Sequence, residues 1–310
     1  MNEACQTQTL YGSRRDDGLG RTVTSNFCNL IEQGHVKEAA VSATSFTRSR
    51  LREEGFTRKI YTPLPIADDQ LDKQLDSDKP RKILELEPDS QATYVAFRGM
   101  APARYFTGKF YEAVFGKIQS ERQTKSIFEL KTYDNDIRKI LSDNLVKDIH
   151  GEEDGAYIAT CNDIVAANPV QQNLVIGGGV TRKNVAEAMK ALPKMKLPNG
   201  CILMNDVTSK DILKWEDTDI GDAALTEQYY NGLTTGKIMG IRTLFTIKRE
   251  IIPDNVMYFF TTEDFLGKFF IMLEPTVYIK HEADLLQFWL YECIAIAIGN
   301  TKGVVKVTFT

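Results

Sequence analysis

The sequence predicts an α+β protein in which a hairpin and a long helix precede a domain of alternating strands and helices. Apolar and polar residues alternate on both sides of a Pro- and Gly-containing break within residues 92–130, which is typical of paired strands. Residues 134–166 carry apolar side chains at helical spacing. Between residues 167 and 276, strand patterns are twice followed by a turn and an amphipathic helical stretch.

The composition is that of a globular protein without a broad basic face. The 310 residues are 43% hydrophobic and 26% charged, and the net charge is −4, which argues against a surface that grips nucleic acid. Five cysteines are scattered without a CxxC pair or a nearby histidine, so no metal site is predicted. No apolar run is long enough to span a membrane, and the N-terminus lacks signal-peptide features. We therefore expect synthesis in the cytoplasm.

Residues 1–55 are predicted to have little core of their own. They are rich in Thr, Ser, Arg, Gly and Gln, and only residues 27–41 favour a short helix, which Gly34 interrupts. Two interpretations stay open for this segment, a disordered tail and an arm held by neighbouring subunits. Residues 56–90 favour a polar linker. Its aspartates lack the spacing of a calcium loop and predict a solvated acidic face; they are Asp68, Asp69, Asp72, Asp76 and Asp78.

The break in the hairpin pattern predicts a loop tip that is rich in arginine and aromatic residues. The tip residues are Arg98, Arg104, Tyr105 and Phe106. Protein–protein interfaces are enriched in these residue types. The sequence therefore predicts a contact with another subunit at this tip. The alternative is a surface hairpin whose aromatic side chains are partly buried.

The long helix is predicted from apolar residues that recur every three or four positions as far as Ile149. After Gly151 and Gly155 the spacing resumes, and Pro169 ends the region. His150 is expected to stand at the end of the first helical stretch and to face its C-terminal dipole.

Two strand–turn–helix units are predicted between residues 173 and 216. In the first, three glycines separate the strand from a helix for which Thr181 is a suitable N-cap. In the second, the N-cap is Thr208 or Ser209. Residues 286–310 favour strands over a helix, because isoleucine and alanine alternate with a period of two.

The glycine run 177–179 lacks the spacing of a nucleotide-binding loop. A phosphate loop ends in Gly-Lys-Ser/Thr and a dinucleotide loop needs GxGxxG, whereas this run leads into Val180 and Thr181. The three histidines lie far apart in the chain, and no serine occupies a GxSxG turn. The sequence therefore predicts no catalytic residue, no cofactor and no metal.

The last quarter of the chain carries an ordered set of motifs. A Gly-x-Ile-x-Gly-Ile step begins at Gly236, an aromatic strand covers residues 256–260, and a Phe-Leu-Gly step ends at Gly267. A long apolar stretch then leads to a Gly-Asn turn and a Val-Val-x-Val strand. This order resembles the C-terminal part of tailed-bacteriophage major capsid proteins with the Hong Kong 97-like fold, and the resemblance extends over about residues 84–310.

The resemblance implies a domain plan. Residues 1–55 would form an N-terminal arm, and residues 56–166 a linker, an E-loop hairpin and a P-domain with a long spine helix, which would contain the Glu153–Asp154 pair near its middle. Residues 167–276 would form the A-domain, and residues 277–310 would be strands returning to the P-domain. The arginine- and aromatic-rich tip would then be the E-loop tip that reaches the next subunit.

The resemblance also implies a function. The chain would be a major capsid protein, not an enzyme, that assembles with itself in hexamers and pentamers into an icosahedral shell around double-stranded DNA. A portal and a separate scaffolding protein would be partners, with a cement protein as an open addition. DNA would be touched only non-specifically at the inner wall, and no membrane would be bound. The protein would be made in the host cytoplasm and located in the virion.

Cys5 and Cys28 are candidates for a disulfide that ties the arm to a neighbouring subunit, because virion surfaces permit oxidation. Two reduced thiols beneath neighbouring subunits are the alternative. For the function, two alternatives stay open: an encapsulin-like compartment, and a soluble α/β enzyme that binds a nucleotide at the Gly177 turn.

Overall fold

A computed structural model describes residues 17–72, 79–86, 93–100, 103, 108–132, 136–212, 215 and 237–310. The chain forms two compact units. The first unit comprises the described residues of Met1–Lys59, Lys117–Ala156 and Leu273–Ile294. The second unit comprises those of Ile60–Gly116, Tyr157–Met272 and Ala295–Thr310.

The described residues form helices and strands along the whole chain. The helices are α1 (Asp17–Glu32), α2 (Val36–Glu54), α3 (Thr57–Ile60), α4 (Ile127–Thr132), α5 (Ile137–Ile140), α6 (Lys147–Ala167), α7 (Pro169–Gln172), α8 (Arg182–Ala188), α9 (Ala191–Lys194), α10 (Asp206–Ile212) and α11 (Glu263–Leu266). A π-helical turn (Leu141–Val146) lies between α5 and α6, and two 3-10 turns (Asp68–Gln70, Thr301–Gly303) lie between strands. The strands are β1 (Leu64–Pro65), β2 (Arg81–Leu86), β3 (Lys109–Val114), β4 (Gly116–Gln119), β5 (Gln123–Ser126), β6 (Asn173–Ile176), β7 (Cys201–Asn205), β8 (Lys237–Ile238), β9 (Ile241–Thr246), β10 (Val256–Phe260), β11 (Gly267–Glu282), β12 (Leu285–Ile298) and β13 (Val304–Phe309).

The first unit packs helices against one face of a sheet. Strands β11, β12 and β4 lie in that order, and β5 pairs antiparallel with β12. Phe27 and Ile31 of α1 are buried in one core cluster with Leu286, Phe288 and Leu290 of β12. Between Leu286 and Glu292 of β12 the even-numbered residues are buried and the odd-numbered ones are half-buried, as expected for a strand with one buried face.

The N-terminal segment differs from its sequence-based prediction. A single short helix over residues 27–41 is wrong, because α1 and α2 occupy most of residues 17–54 and contribute to the core. Gly34, with φ +84°, ends α1. The amide of His35 donates to the carbonyl of Leu30 (2.8 Å) and the amide of Gly34 to that of Ile31 (3.0 Å), the hydrogen bonds of a Schellman motif. The glycine thus separates two helices.

The second unit is built on a six-stranded sheet with the order β6-β13-β10-β7-β9-β8. Strand β10 runs antiparallel to both neighbours, and all five of its residues are buried. Val185, Leu192 and Ile212, from α8, α9 and α10, pack against the sheet in one core cluster. Both predicted strand–turn–helix units are confirmed, and so are the strands of the C-terminal tail. The last of these, β13, pairs with β6 and β10.

One of the two predicted helix caps is confirmed. The hydroxyl of Thr181 accepts a hydrogen bond from the amide of Asn184 (3.3 Å) at the start of α8. The predicted caps Thr208 and Ser209 are wrong, because α10 begins at Asp206 and both residues lie inside it. The Oδ1 atom of Asn205 accepts from the amide of Thr208 (2.7 Å) and caps the helix instead.

Strands β2 and β3 form a hairpin that is a separate two-stranded sheet in the second unit. The strands are antiparallel, with Arg81 opposite Val114 and Leu86 opposite Lys109. The prediction of a first strand over residues 92–99 is wrong: the described residues 93–100 contain no strand, and β2 lies within the predicted linker. The predicted helix over residues 134–166 is confirmed from Ile137 onward, although its first turns are partly π-helical.

Replacing Gly267 by alanine is expected to destabilise the second unit. A Cβ atom at position 267 would lie 2.1 Å from the carbonyl oxygen of Ala297, and backbone atoms of paired strands cannot move aside easily. We expect a loss of about 1–3 kcal/mol, seen as a lower urea midpoint of unfolding. Gly155→Ala is the control, because its Cβ meets nothing within 4 Å and lies in a helix. That variant should gain about 0.5–1 kcal/mol, and equal midpoints for the two variants would contradict the prediction.

Candidate assembly interface and its buried anchor

A buried arginine joins three remote segments of the first unit. The Nε atom of Arg58 donates to both carboxylate oxygens of Glu153, at 3.0 and 3.2 Å. Its Nη2 atom donates to Oε2 of Glu292 at 2.5 Å. The arginine side chain is 4% exposed, and both glutamates are fully buried. We call these three residues the arginine cluster; it connects α3, α6 and β12.

The residue next to Glu153 holds the start of α3. Asp154 is fully buried, and its carboxylate accepts from the hydroxyl of Thr57 at 2.7 Å and from the amide of Thr57 at 3.0 Å. Carboxylates stabilise helix N-termini because the first amides have no partner within the helix. The Glu153–Asp154 pair therefore binds the chain just after α2 through two adjacent contacts.

Burial raises the pKa values of both carboxyl groups of the arginine cluster. Burial raises the pKa of Glu153 to about 8, and the charge of Glu292 adds to the rise against the opposing effect of Arg58. Burial also raises the pKa of Glu292. A buried carboxyl holds its proton because the low-dielectric interior disfavours the charged form. The pair therefore keeps a proton near neutral pH.

One face of the hairpin in the second unit combines exposed apolar residues with the charged residues Arg81, Glu85 and Glu112. Antiparallel pairing places Ile83, Phe110 and Val114 on the same face of β2 and β3, and all three are exposed. An ion pair between Arg81 and Glu112 (2.9 Å) lies among them. The opposite face is covered, with Ala113 fully buried and Tyr111 partly so.

The residues between the two strands also expose apolar side chains. The described part, residues 93–100, has no helix or strand, and the side chains of Tyr94, Phe97 and Met100 are exposed almost completely. Soluble monomers rarely expose apolar side chains in one contiguous region, and such regions mark interaction surfaces. We call the exposed side chains Ile83, Tyr94, Phe97, Met100, Phe110 and Val114 the hairpin surface.

Solved structures of other proteins share this architecture. A virus-like particle from Pyrococcus furiosus matches with a TM-score of 0.52 and 13% identity, over 86% of this chain and 97% of that chain. A structure from Mycobacterium phage Bobi matches with a TM-score of 0.57 and 13% identity, over 83% of this chain and 91% of that chain. The capsid structure of the cyanophage P-SCSP1u matches with a TM-score of 0.54 and 10% identity, over 81% of this chain and 86% of that chain.

This chain has the Hong Kong 97-like fold. The fold was predicted from the order of motifs in the last quarter of the sequence, and the prediction is confirmed. No protein-family model matches the sequence, and no curated protein is similar to it in sequence.

The predicted tip residues are only partly within the described structure. Arg98 is exposed and lies in the hairpin surface between Phe97 and Met100. Arg104, Tyr105 and Phe106 lie outside the described residues. Their contact with another subunit therefore stays a prediction, which the exposure around Arg98 supports.

The two cysteines proposed for a disulfide occupy different situations. Cys28 is a free, fully buried thiol in the core of the first unit, and burial raises its pKa. Such a thiol reacts poorly, because the thiolate is the nucleophile. Cys5 lies outside the described residues. The reduced state is thus favoured for Cys28, and a crosslink through Cys5 stays a prediction.

The glycine turn that was tested as a nucleotide loop is occupied by the protein's own groups. The amides of Gly178 and Gly179 donate to the carbonyl of Thr310, at 2.7 and 3.2 Å. The side chain of Asn184 donates to the carbonyls of Gly177 and Gly179. These contacts explain the turn as a strand-to-helix connection.

Other candidate chemistry is limited in the part of the chain that the structure describes. No group of three or more His, Cys, Asp or Glu residues there is arranged to hold a metal ion. No helix there is both long and apolar enough to cross a membrane. The expectation that His150 faces a helix C-terminus is wrong, because α6 continues to Ala167 and His150 lies buried in its first turn.

We expect the stability of the first unit to fall as pH rises from about 5 to about 8. The folded pKa of Glu153 is about 8 and its ordinary value is 4.5, so the folded state binds an extra proton between these values. The unfolding free energy should therefore fall by up to about 1.4 kcal/mol per pH unit in this window, then level off. Urea denaturation across the pH range measures the slope.

Glu153→Gln should remove this pH dependence, because glutamine keeps the neutral form. Glu152→Gln is the matched control: it changes the neighbouring, exposed residue of the same helix and should keep the wild-type slope. A wild-type slope in Glu153→Gln would contradict the assignment of the proton to the arginine cluster.

Proposed function

We propose that this chain is the major capsid protein of a tailed phage, which assembles with itself into an icosahedral shell enclosing double-stranded DNA. The observation that carries the proposal is the Hong Kong 97-like fold, shared over more than four-fifths of the chain with phage structures. At these low identities the similarity concerns the fold alone. The proposed function therefore also needs support from the exposed residues of this chain.

The hairpin surface supports a role in assembly. A two-stranded sheet is marginally stable in water by itself, and one face of this one exposes Ile83, Phe110 and Val114 among charged residues. Burial of apolar area contributes about 25 cal/mol per Å². Covering Phe97, Met100 and Phe110 with another subunit would therefore stabilise both the hairpin and the contact. Because a shell repeats each contact many times, individually weak contacts suffice.

The proposal assigns a role to each segment. Residues 1–55 form the arm, residues 56–166 the E-loop hairpin and P-domain, residues 167–276 the A-domain, and residues 277–310 the returning strands. Hexamers and pentamers are the expected oligomers, with a portal, a separate scaffolding protein and a cement protein as further candidate partners. The role is structural rather than catalytic, in the virion, after synthesis in the host cytoplasm. The encapsulin-like alternative is not favoured, because most of the similar structures come from phages.

Shell formation is the direct test. The chain, expressed with the neighbouring genes of its phage, is expected to sediment as large particles and to appear as closed shells by electron microscopy. Particles filled with DNA and carrying one portal vertex would support the phage head over an enzyme-loaded compartment. A stable monomer under these conditions, by light scattering and microscopy, would refute the proposal.

Phe110→Ser is expected to impair assembly while leaving the monomer folded. Phe110 is 67% exposed, so the monomer loses little packing, whereas a contact that buries the ring loses about 2–3 kcal/mol. Particle yield by sedimentation and folding by circular dichroism measure the two effects. Phe128→Ser is the matched control, since Phe128 is 69% exposed but lies on α4, away from the hairpin in sequence. Equal yields for both variants would count against the hairpin surface.

A further inference from the structure

A row of aromatic rings with a cation at each end lies on the first unit. Tyr278 of β11 stacks on Tyr291 of β12, with ring centroids 4.6 Å apart, and on Trp289, with centroids 6.0 Å apart. The Nζ atom of Lys117 lies 4.2 Å from the centre of the Tyr291 ring. The guanidinium of Arg122 lies 5.0 Å from the centre of the Trp289 ring. We call these five residues the cationic row.

The cationic row lies on the sheet face opposite the core. Along β12 the core-facing residues Leu290 and Glu292 are buried, whereas Trp289 and Tyr291 alternate with them and are half-buried. Lys117 and the neighbouring Arg122 are exposed. The hydroxyls of Tyr278 and Tyr291 are hydrogen-bonded at 2.7 Å, which holds the rings in place. The row is therefore a rigid surface reachable from solvent.

The charge of the cationic row is not balanced locally. In the part of the chain that the structure describes, neither Lys117 nor Arg122 forms an ion pair with a carboxylate. Rings stabilise cations through their electron-rich faces but leave most N–H donors open. Tyr291 already contacts the Tyr278 ring and the Lys117 ammonium, which leaves little of its ring for a nucleobase to stack on. The open donors instead suit carboxylates.

Arginine, tryptophan and tyrosine in one rigid cluster are the residue types that dominate binding energy in protein interfaces. The partner surface should then present acidic groups, and this chain carries such a surface. Residues 68–78 contain five aspartates and one lysine. Of these, Asp68 and Asp69 lie on an exposed 3-10 turn.

The acidic turn is held in place and its carboxylates are available. The carbonyl of Gln70 accepts from Nζ of Lys82 at 2.6 Å, and the carboxylate of Asp72 accepts from the amide of Ile83 at 2.8 Å. Asp68 and Asp69 themselves form no ion pair among the described residues. Two adjacent carboxylates thus match two cations in number and in sign.

We propose that the cationic row of one copy binds the acidic turn of a second copy, with Lys117 and Arg122 paired to Asp68 and Asp69. The contact is an interface between subunits, and it deepens the proposed function because it rests on self-assembly. Ring-bound cations lose little side-chain entropy on pairing, which favours a specific contact over a diffuse attraction. Salt should weaken it, since charges near a surface are screened over about 8 Å at physiological ionic strength.

Charge reversal on each side, followed by combination, tests the pairing. Lys117→Glu with Arg122→Glu, and separately Asp68→Lys with Asp69→Lys, should each raise the concentration needed for shell assembly at least tenfold. The variant with all four changes should return to within about threefold of wild type, because the pairing is restored with reversed sign. Arg182→Glu with Lys183→Glu is the control, since it changes the net charge equally at exposed residues of α8. Circular dichroism checks that all variants fold.

Isotope-mixed shells establish whether the contact joins two copies. Shells assembled from equal amounts of light and ¹⁵N-labelled chain are treated with a carbodiimide, which links Lys117 directly to Asp68 or Asp69. Linked peptides with one light and one heavy half are expected. The proposal would be overturned if every linked peptide carried a single isotope. It would also be overturned if no link formed and the fourfold variant did not restore assembly.

The remaining outcomes are also decisive. If only the reversal at Lys117 and Arg122 weakens assembly, and only when other phage proteins are present, the row binds an acidic segment of another protein and the proposal fails. If wild type assembles and neither reversal has an effect, this pairing fails while the capsid function stands. If wild type never assembles, both fail.

Discussion

The first unit depends on one buried guanidinium. Arg58 contacts Glu153 and Glu292, which lie 95 and 234 positions away in sequence. Removing charges from water costs several kcal/mol per ion, and only close pairing with full geometry offsets that cost. Because displacing any of the three would leave a buried polar or charged group without a hydrogen-bond partner, α3, α6 and β12 are fixed at one point. Hydrophobic contacts alone, which tolerate sliding, would not specify this junction as uniquely.

The same constraint fixes which side of the sheet faces outward. Successive residues of a strand point to opposite faces, so a slip of one residue would expose Glu292 and bury Tyr291. With Glu292 held by Arg58, the even-numbered residues from Leu286 to Glu292 are committed to the core, and Trp289 and Tyr291 are committed to the other face. The outward position of the aromatic stack and its two cations therefore follows from the buried contact between Arg58 and Glu292.

Local patterns allowed most of the second unit to be predicted, whereas pairings between remote residues did not follow from sequence. The strand–turn–helix units need only neighbours in the chain, so their apolar spacing was sufficient. Strand β2 was missed because its partner β3 begins more than twenty residues later and its aspartate-rich surroundings favour a linker. The arginine cluster was missed for the same reason. Its visible signals were Glu292, a single acid within an apolar run, and Glu153, which the resemblance placed near the middle of the long helix.

If the hairpin surface joins subunits of a shell, as proposed, its mixture of apolar and charged residues bears on how selective that contact is. Ile83, Phe110 and Val114 form one face, but the Arg81–Glu112 ion pair interrupts it. Charges on an exposed strand discourage non-specific pairing with other strands, since an unrelated partner would leave them buried and unpaired. A neighbouring subunit that places complementary charges against Arg81 and Glu112 can cover both residues without leaving a buried charge unpaired. In a shell each contact recurs in every subunit, so such an interface needs only modest affinity. A continuous apolar face would bind more tightly and would also trap wrongly joined subunits before the shell could close.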